Sequence, residues 1–236
     1  MKQVLRAQKL LDLVLGLLLV LSGLLLVRTA LRLQTADAPE QRRYCLVIDA
    51  GHGGIDGGAV AFNGVKESEI NLAIALRLRD LADLFGLPCE MIRTDDSRRT
   101  DILSYSEHED LVYRAERANA VQNGILISIH QNFFPTSQPF GAQVLYAADE
   151  KSKHFGKLTH DAIVSNLQPE NRRLAEQASP KLYLTSHVNC PAILVECGFL
   201  SNMSDLEKLS SEAYQTGFAA VLLQSYLTFI QSTSYT

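Results

Sequence analysis

Apolar and polar positions divide the 236-residue chain into three stretches. The first is a nearly unbroken apolar run over 10–27, interrupted only by Asp12, Gly16, Ser22 and Gly23. As a helix it would extend about 27 Å, close to the hydrocarbon thickness of a bilayer. The second, 34–43, is polar, contains Pro39 and reads as a linker. From Tyr44 onward, short apolar runs alternate with longer amphipathic stretches. The runs 44–49 (YCLVID), 89–94 (CEMIRT), 125–130 (ILISIH), 142–147 (AQVLYA), 182–185 (LYLT) and 192–197 (AILVEC) read as strands. Several are almost continuously apolar, as strands covered on both faces are. Helices are predicted over about 67–86, 108–122, 150–167 and 211–231. The first has a mixed pattern, because Ile70, Leu72, Ile74, Leu76 and Leu78 alternate with period two. Its length and its Ala, Leu and Arg content decide for helix, and Gly86 and Pro88 supply a stop. The alternation predicts an α/β three-layer sandwich over 44–236. Its mostly parallel or mixed central sheet would have about six strands flanked by helices.

Charge refines the picture of the first stretch. Lys2, Arg6 and Lys9 precede the apolar run and favour an N-terminus on the cytoplasmic side. A cleaved signal peptide is the alternative, but its apolar core is usually shorter, roughly 7–15 residues. Ala36-Asp37-Ala38 resembles a cleavage site, yet Pro39 follows it. The expectation is a single-pass membrane anchor over 1–33, with the remainder exported; cleavage would make that remainder a secreted protein. Hydrophobic residues make up 47% of the chain and charged residues 20%, enough for a packed core. Net charge is −4, but residues 1–35 hold five basic residues against one acidic, leaving the rest at −8. A body this acidic does not suit nucleic acid, which rewards basic patches. Nor would charge hold it on a polyanionic wall. Cys45, Cys89, Cys190 and Cys197 lack CxxC spacing. Buried free thiols are expected, with a Cys45–Cys89 bridge as the alternative.

Functional groups in such folds gather at the carboxyl ends of strands. Three strand ends carry candidates: the first runs into Gly51-His52-Gly53-Gly54, the third ends at His130-Gln131-Asn132, and the last runs into Glu196-Cys197-Gly198. The glycines around His52 allow a tight turn and close approach of a ligand. A phosphate cradle is disfavoured, since no Lys-Ser/Thr follows. Taken singly, each histidine also reads as a satisfied imidazole. Glu67 opens the first domain helix, where a carboxylate can simply serve the helix dipole; Glu69 is the neighbouring alternative. Together, two histidines and one glutamate form a ligand set for catalytic zinc with an open fourth position. Glu196 lies in an apolar segment, where a carboxylate is costly unless it is paired or functional.

Four segments carry a resemblance: His52 in IDAGHGGIDGGA, Glu67 in GVKESEINLA, His130 in ISIHQN and Glu196 in PAILVECGFLSN. Together and in this order they resemble the zinc-dependent N-acetylmuramoyl-L-alanine amidases, over about residues 44–231. The resemblance implies that His52, Glu67 and His130 bind Zn2+ and that Glu196 is the catalytic acid/base. It implies peptidoglycan as substrate, cut between the lactyl group of N-acetylmuramic acid and L-alanine. Arg114 and Asn119 in YRAERAN match a family segment read as structural, and Asp56 is read as supporting the glycine loop. His187 is read as a satisfied loop residue, with substrate contact as the alternative, and His108, His154 and His160 as surface residues. The chain departs from the family at Ser68, where Lys is common, and at Gln131, where Ala is frequent. Its size, N-terminal segment and insert RRTDILSYSEHED resemble the spore-cortex, germination-associated branch, which implies a partner deacetylase. Other exported zinc amide hydrolases, carboxypeptidases or deacetylases, share the ligand set. A non-catalytic, membrane-tethered peptidoglycan binder would be expected to lack a ligand or the base. An inhibitory helix, if one existed, would fall near 148–170.

Overall fold

The computed structural model describes residues 44–96 and 106–233, together with position 16 and residues 20–29. Residues 20–29 are helical, with the Thr29 hydroxyl donating to the Leu25 and Leu26 carbonyls. No helix among the described residues is long and apolar enough to cross a membrane. The expected span over 10–27, the linker 34–43 and most of the insert before YRAERAN lie largely outside the described residues.

From Tyr44 the chain forms a six-stranded mixed sheet. Its strands are β1 (Cys45–Ala50), β2 (Cys89–Met91), β3 (Gly124–Asn132), β4 (Gln143–Tyr146), β5 (Glu176–Gln177) and β6 (Ala192–Phe199). The spatial order is β2-β1-β3-β6-β4-β5. The first four in that order are parallel; β4 runs antiparallel to β6 and parallel to β5. The helices are α1 (Glu67–Phe85), α2 (Glu107–Asn119), α3 (Glu150–Asn166), α4 (Tyr183–His187), α5 (Met203–Leu209) and α6 (Glu212–Thr233).

Side chains alternate across the sheet and build two cores. Val47, Leu126 and Ala192 cluster with Ala115 and Ala118 of α2 and Leu184 of α4. On the helical side away from that cluster, α3 and α6 pack through stacked Phe155 and Phe229 rings 4.7 Å apart, and α1 is tied to α6 by Arg77 donating to Thr216. Ile70, Ile74 and Leu78, four apart, are the buried stripe of α1, so the period-two pattern does not describe its packing. Gly86, at φ 69°, ends that helix, and the Leu87 amide donates back to the Ala82 carbonyl. Caps at Ser106, Asp149 and Asn202 set the starts of α2, α3 and α5.

One predicted strand is a helix. Segment 182–185 leads into α4, where Tyr183 and His187 stack one turn apart at 3.8 Å. The Thr185 and Ser186 hydroxyls donate to the Leu182 carbonyl. These local bonds favour a helical turn over a ladder. The fifth strand is instead the short pair Glu176–Gln177. The β2 strand stops at Met91 rather than Thr94, because Arg93 turns inward. All four cysteines are free, as expected, but only Cys197 is buried; Cys45, Cys89 and Cys190 are half-buried.

Candidate active site

Parallel pairing sets the candidate residues side by side. Ala50 is level with Ile129, and His130 is level with Glu196. The ends of β1, β3 and β6 therefore bring His52, His130 and Glu196 to one sheet edge, as read from the sequence. Glu67 arrives from the first turn of α1, held there by its own amide donating to the Ala59 carbonyl.

The loop after β1 is shaped to admit these groups. A Cβ on Gly51 would lie 2.2 Å from the His130 ring, and one on Gly58 would lie 2.7 Å from a Glu67 oxygen. His52 itself has φ 60°, a region that non-glycine residues seldom occupy. Its conformation is fixed at both ends. The Arg114 guanidinium donates to its carbonyl at 2.8 Å, and its Nδ1 meets Asp56 at 2.7 Å. Asp56 also accepts from the Gly58 amide, so it supports the loop as expected.

Glu67 is buried, whereas Glu69 is exposed. Glu67 Oε1 lies 3.0 Å from His130 Nδ1 and 3.3 Å from His52 Nε2, and accepts from the Gln131 amide. Glu67 Oε2 accepts from the Ala59 amide. The ligand atoms of His52, Glu67 and His130 lie within 4.8 Å of one another. Burial opposes charge on both His52 and Glu67, but their mutual attraction outweighs it. The Glu67 carboxyl is held far below the usual range by His130 and His52, while Glu67 and Asp56 push His52 up to about 9.

Glu196 faces the same crevice, half-buried, and its Oε2 has no hydrogen-bond partner. Burial raises its pKa and nearby Glu67 adds to that, while the two imidazoles pull the other way. Glu196 is thus an uncommitted carboxylate beside three committed groups.

Several supporting residues carry little signal in the sequence. Arg93 crosses beneath the loop to the carbonyls of Ala50, Gly51 and Ser68. Asn71, one turn after Glu67, donates to the Gly51 carbonyl and approaches Glu67. Only that four-residue spacing could have flagged it. Gln131 is buried and donates to Asn71, so it stiffens the site from behind. Arg114 is the carboxylate partner anticipated, at 2.6 Å from Asp49 and 2.7 Å from Asp110. Asn119 bonds the His187 carbonyl and the Asn189 amide, a structural role. His187 caps its own helix against Tyr183. His108 and His154 are exposed, but His160 is not a surface residue: it is buried, and its ring bonds the Arg173 carbonyl. Helix α3, which covers the region where an inhibitory helix was considered, contributes no residue to the crevice.

Comparison with known proteins converges on the same residues' context. Residues 46–225 match the family described as N-acetylmuramoyl-L-alanine amidase. A germination-specific N-acetylmuramoyl-L-alanine amidase of Bacillus subtilis is 32% identical over 195 residues, 78% of this chain and 78% of that one. An uncharacterized Bacillus subtilis protein, YqiI, is 34% identical over 171 residues, covering 71% of this chain and 76% of its own. Among solved structures, the CwlD amidase of Clostridioides difficile, determined in complex with the GerS lipoprotein, superposes with a TM-score of 0.73 at 30% identity. It covers 80% of this chain and 99% of that one. With the matched segment spanning all of the sheet but its first residue and all four candidate residues, the chain belongs to the N-acetylmuramoyl-L-alanine amidase family of peptidoglycan hydrolases.

Proposed function

We propose that the protein is a zinc-dependent amidase that frees the stem peptide from N-acetylmuramic acid, with His52, Glu67 and His130 as metal ligands and Glu196 as the proton carrier. The observation that carries this reading is the convergence of two imidazoles and one buried carboxylate, their ligand atoms within 4.8 Å, beside an unpartnered Glu196. That donor set suits zinc, with a fourth position left for water or substrate. Asp56 holds the far nitrogen of His52, as ligating imidazoles usually require. Bound there, zinc supplies Lewis-acid polarisation of the scissile carbonyl and lowers the pKa of water.

The chain's own groups do the rest. Glu196 takes a proton from the attacking water as its oxygen bonds to the lactyl carbonyl carbon. It then returns that proton to the alanine nitrogen as the carbon–nitrogen bond breaks. A raised pKa suits both halves, since the carboxyl must hold the proton briefly and then release it. The products are a lactyl carboxylate on the sugar and a free L-alanine amino terminus.

The likeness to a germination-specific relative supports a role in spore cortex maturation. The peptide-free muramic residue would then be substrate for a partner deacetylase. The test is a digest of purified peptidoglycan by the full chain with zinc, beside Glu196→Gln. New L-alanine amino termini are expected, with the rate reduced about 10²- to 10⁴-fold in the variant. Cleavage elsewhere in the peptide, or loss of acetyl groups, would overturn the assignment in favour of another zinc hydrolase.

A further inference from the structure

The crevice is bounded by the catalytic edge on one side and by Lys181 and the start of α4 on the other. Its described walls are strongly acidic, with Asp49, Asp56, Glu107, Asp110 and Glu196 all lining it. Two cationic side chains offset them. Arg114 is buried and already paired to Asp49 and Asp110. Lys181 differs: it is exposed, and among the described residues its ammonium makes no hydrogen bond or ion pair. Asp49 and Asp110 are paired to Arg114 and Asp56 to His52, so among the described residues Lys181 is the lining cation that no carboxylate of the crevice holds.

Its backbone, in contrast, is firmly placed. The Leu182 amide donates to the Ser179 carbonyl, and the Ser186 hydroxyl donates to the Pro180 carbonyl. The far end of α4 is tied to α2 through Asn119. The turn at 180–181, just before α4, places residue 181 on the crevice wall.

The departing peptide supplies the missing partner. After L-alanine, the stem continues through the side-chain carboxyl of a D-glutamate, so that residue's α-carboxylate is free, one residue from the scissile amide. Beside the lining carboxylates Glu107 and Glu196, such a group is favoured only where a cation receives it. We propose that Lys181 is a specificity-determining residue that binds the α-carboxylate of the second stem residue and so sets the peptide's register across the site. The inference rests on the amidase reading and adds the substrate feature that the site recognises.

The test compares two matched glycan-strand substrates with zinc-loaded full-length protein. One carries the free glutamate α-carboxylate, and the other carries the carboxamide in its place. The unaltered protein should prefer the carboxylate form. Lys181→Ala should lower kcat/KM for that form about tenfold, mainly through KM, and leave the carboxamide form unchanged. Lys181→Arg should restore most of the preference, and Lys181→Glu should reverse it. Equal losses on both substrates, or no change on either, would overturn the proposal. Failure of the unaltered protein to cut either substrate would instead count against the amidase reading itself.

Discussion

Glu67 Oε1 is approached at once by His130, His52, the Gln131 amide and Asn71, at 3.0 to 3.4 Å. One carboxylate oxygen has too few lone pairs to satisfy all four fully, so the imidazole contacts mark where a cation would sit. This gives a proton-linked prediction. His52 is pushed up to about 9 by Glu67 and Asp56, against the cost of its burial. A raised pKa means the charged imidazole stabilises the metal-free fold below its unfolded value, roughly 6.5, and that contribution fades as pH rises through about 9. Zinc needs the neutral ring. At pH 7.5, zinc uptake should therefore release close to one proton, and affinity should weaken as pH falls. Calorimetry in buffers of differing ionisation enthalpy measures this; a buffer-independent heat would refute it. The ligand types were legible in the sequence because glutamate and histidines sat at strand and helix ends. Glu67 could not be told from Glu69 by spacing alone, since burial decides between them and burial is a property of the fold.

At the scale of elements, the site depends on how closely β1 and its loop approach β3 and α1. Gly51 has no room for a side chain against the His130 ring, so a Cβ there would displace that ring from its present position. Gly51→Ala should leave the fold largely intact while weakening zinc binding at least tenfold, read by titration with a chromogenic chelator; unchanged affinity would show the ring has slack. Arg114 does a related task, joining α2 to the end of β1 through Asp49, while Ser128 of β3 donates to the same carboxylate. Removing it strands a buried aspartate, so Arg114→Ala should cost about 3–5 kcal/mol in urea unfolding. Burial would raise the Asp49 carboxyl, but Arg114 and His130 outweigh it and hold it low. A depressed pKa contributes stability above the unfolded value, near 3.9, that is lost as pH falls through the folded value. Asp49→Asn should therefore flatten the acid limb of the stability curve, and an unchanged limb would locate that dependence elsewhere. Element order was mostly readable, because strands buried on both faces are apolar without interruption. Segment 182–185 misled because LYLT has strand composition, while its helical bonds run through Thr185, Ser186 and a Tyr183–His187 stack that composition does not encode. The two-residue β5 carries too few positions to show any period.

For the molecule as a whole, the acidic body and the apolar run at 10–27 point in one direction. Charge gives the domain no grip on a polyanionic wall, and we propose that location comes from the N-terminal segment. The full chain should fractionate with membranes and resist a high-salt wash; recovery in the wash or the medium would favour a cleaved segment. The metal acts on the same scale. Its proposed ligands lie on the loop after β1, the first turn of α1 and the end of β3, and Glu67 and His130 are 63 positions apart in sequence. A cation there adds a cross-link to elements already joined by hydrogen bonds such as those of Gln131 to Glu67 and Asn71, and the unfolded chain cannot reproduce the site. Zinc at a hundredfold excess over its dissociation constant should add about 2.7 kcal/mol, raising Tm by about 5–10 °C for a domain of this size. Glu196→Gln should keep the full shift, because that carboxylate is not a ligand, whereas His130→Ala should lose most of it. A Tm shift lost in Glu196→Gln and kept in His130→Ala would exchange the two roles, and scanning calorimetry with and without chelator decides between them.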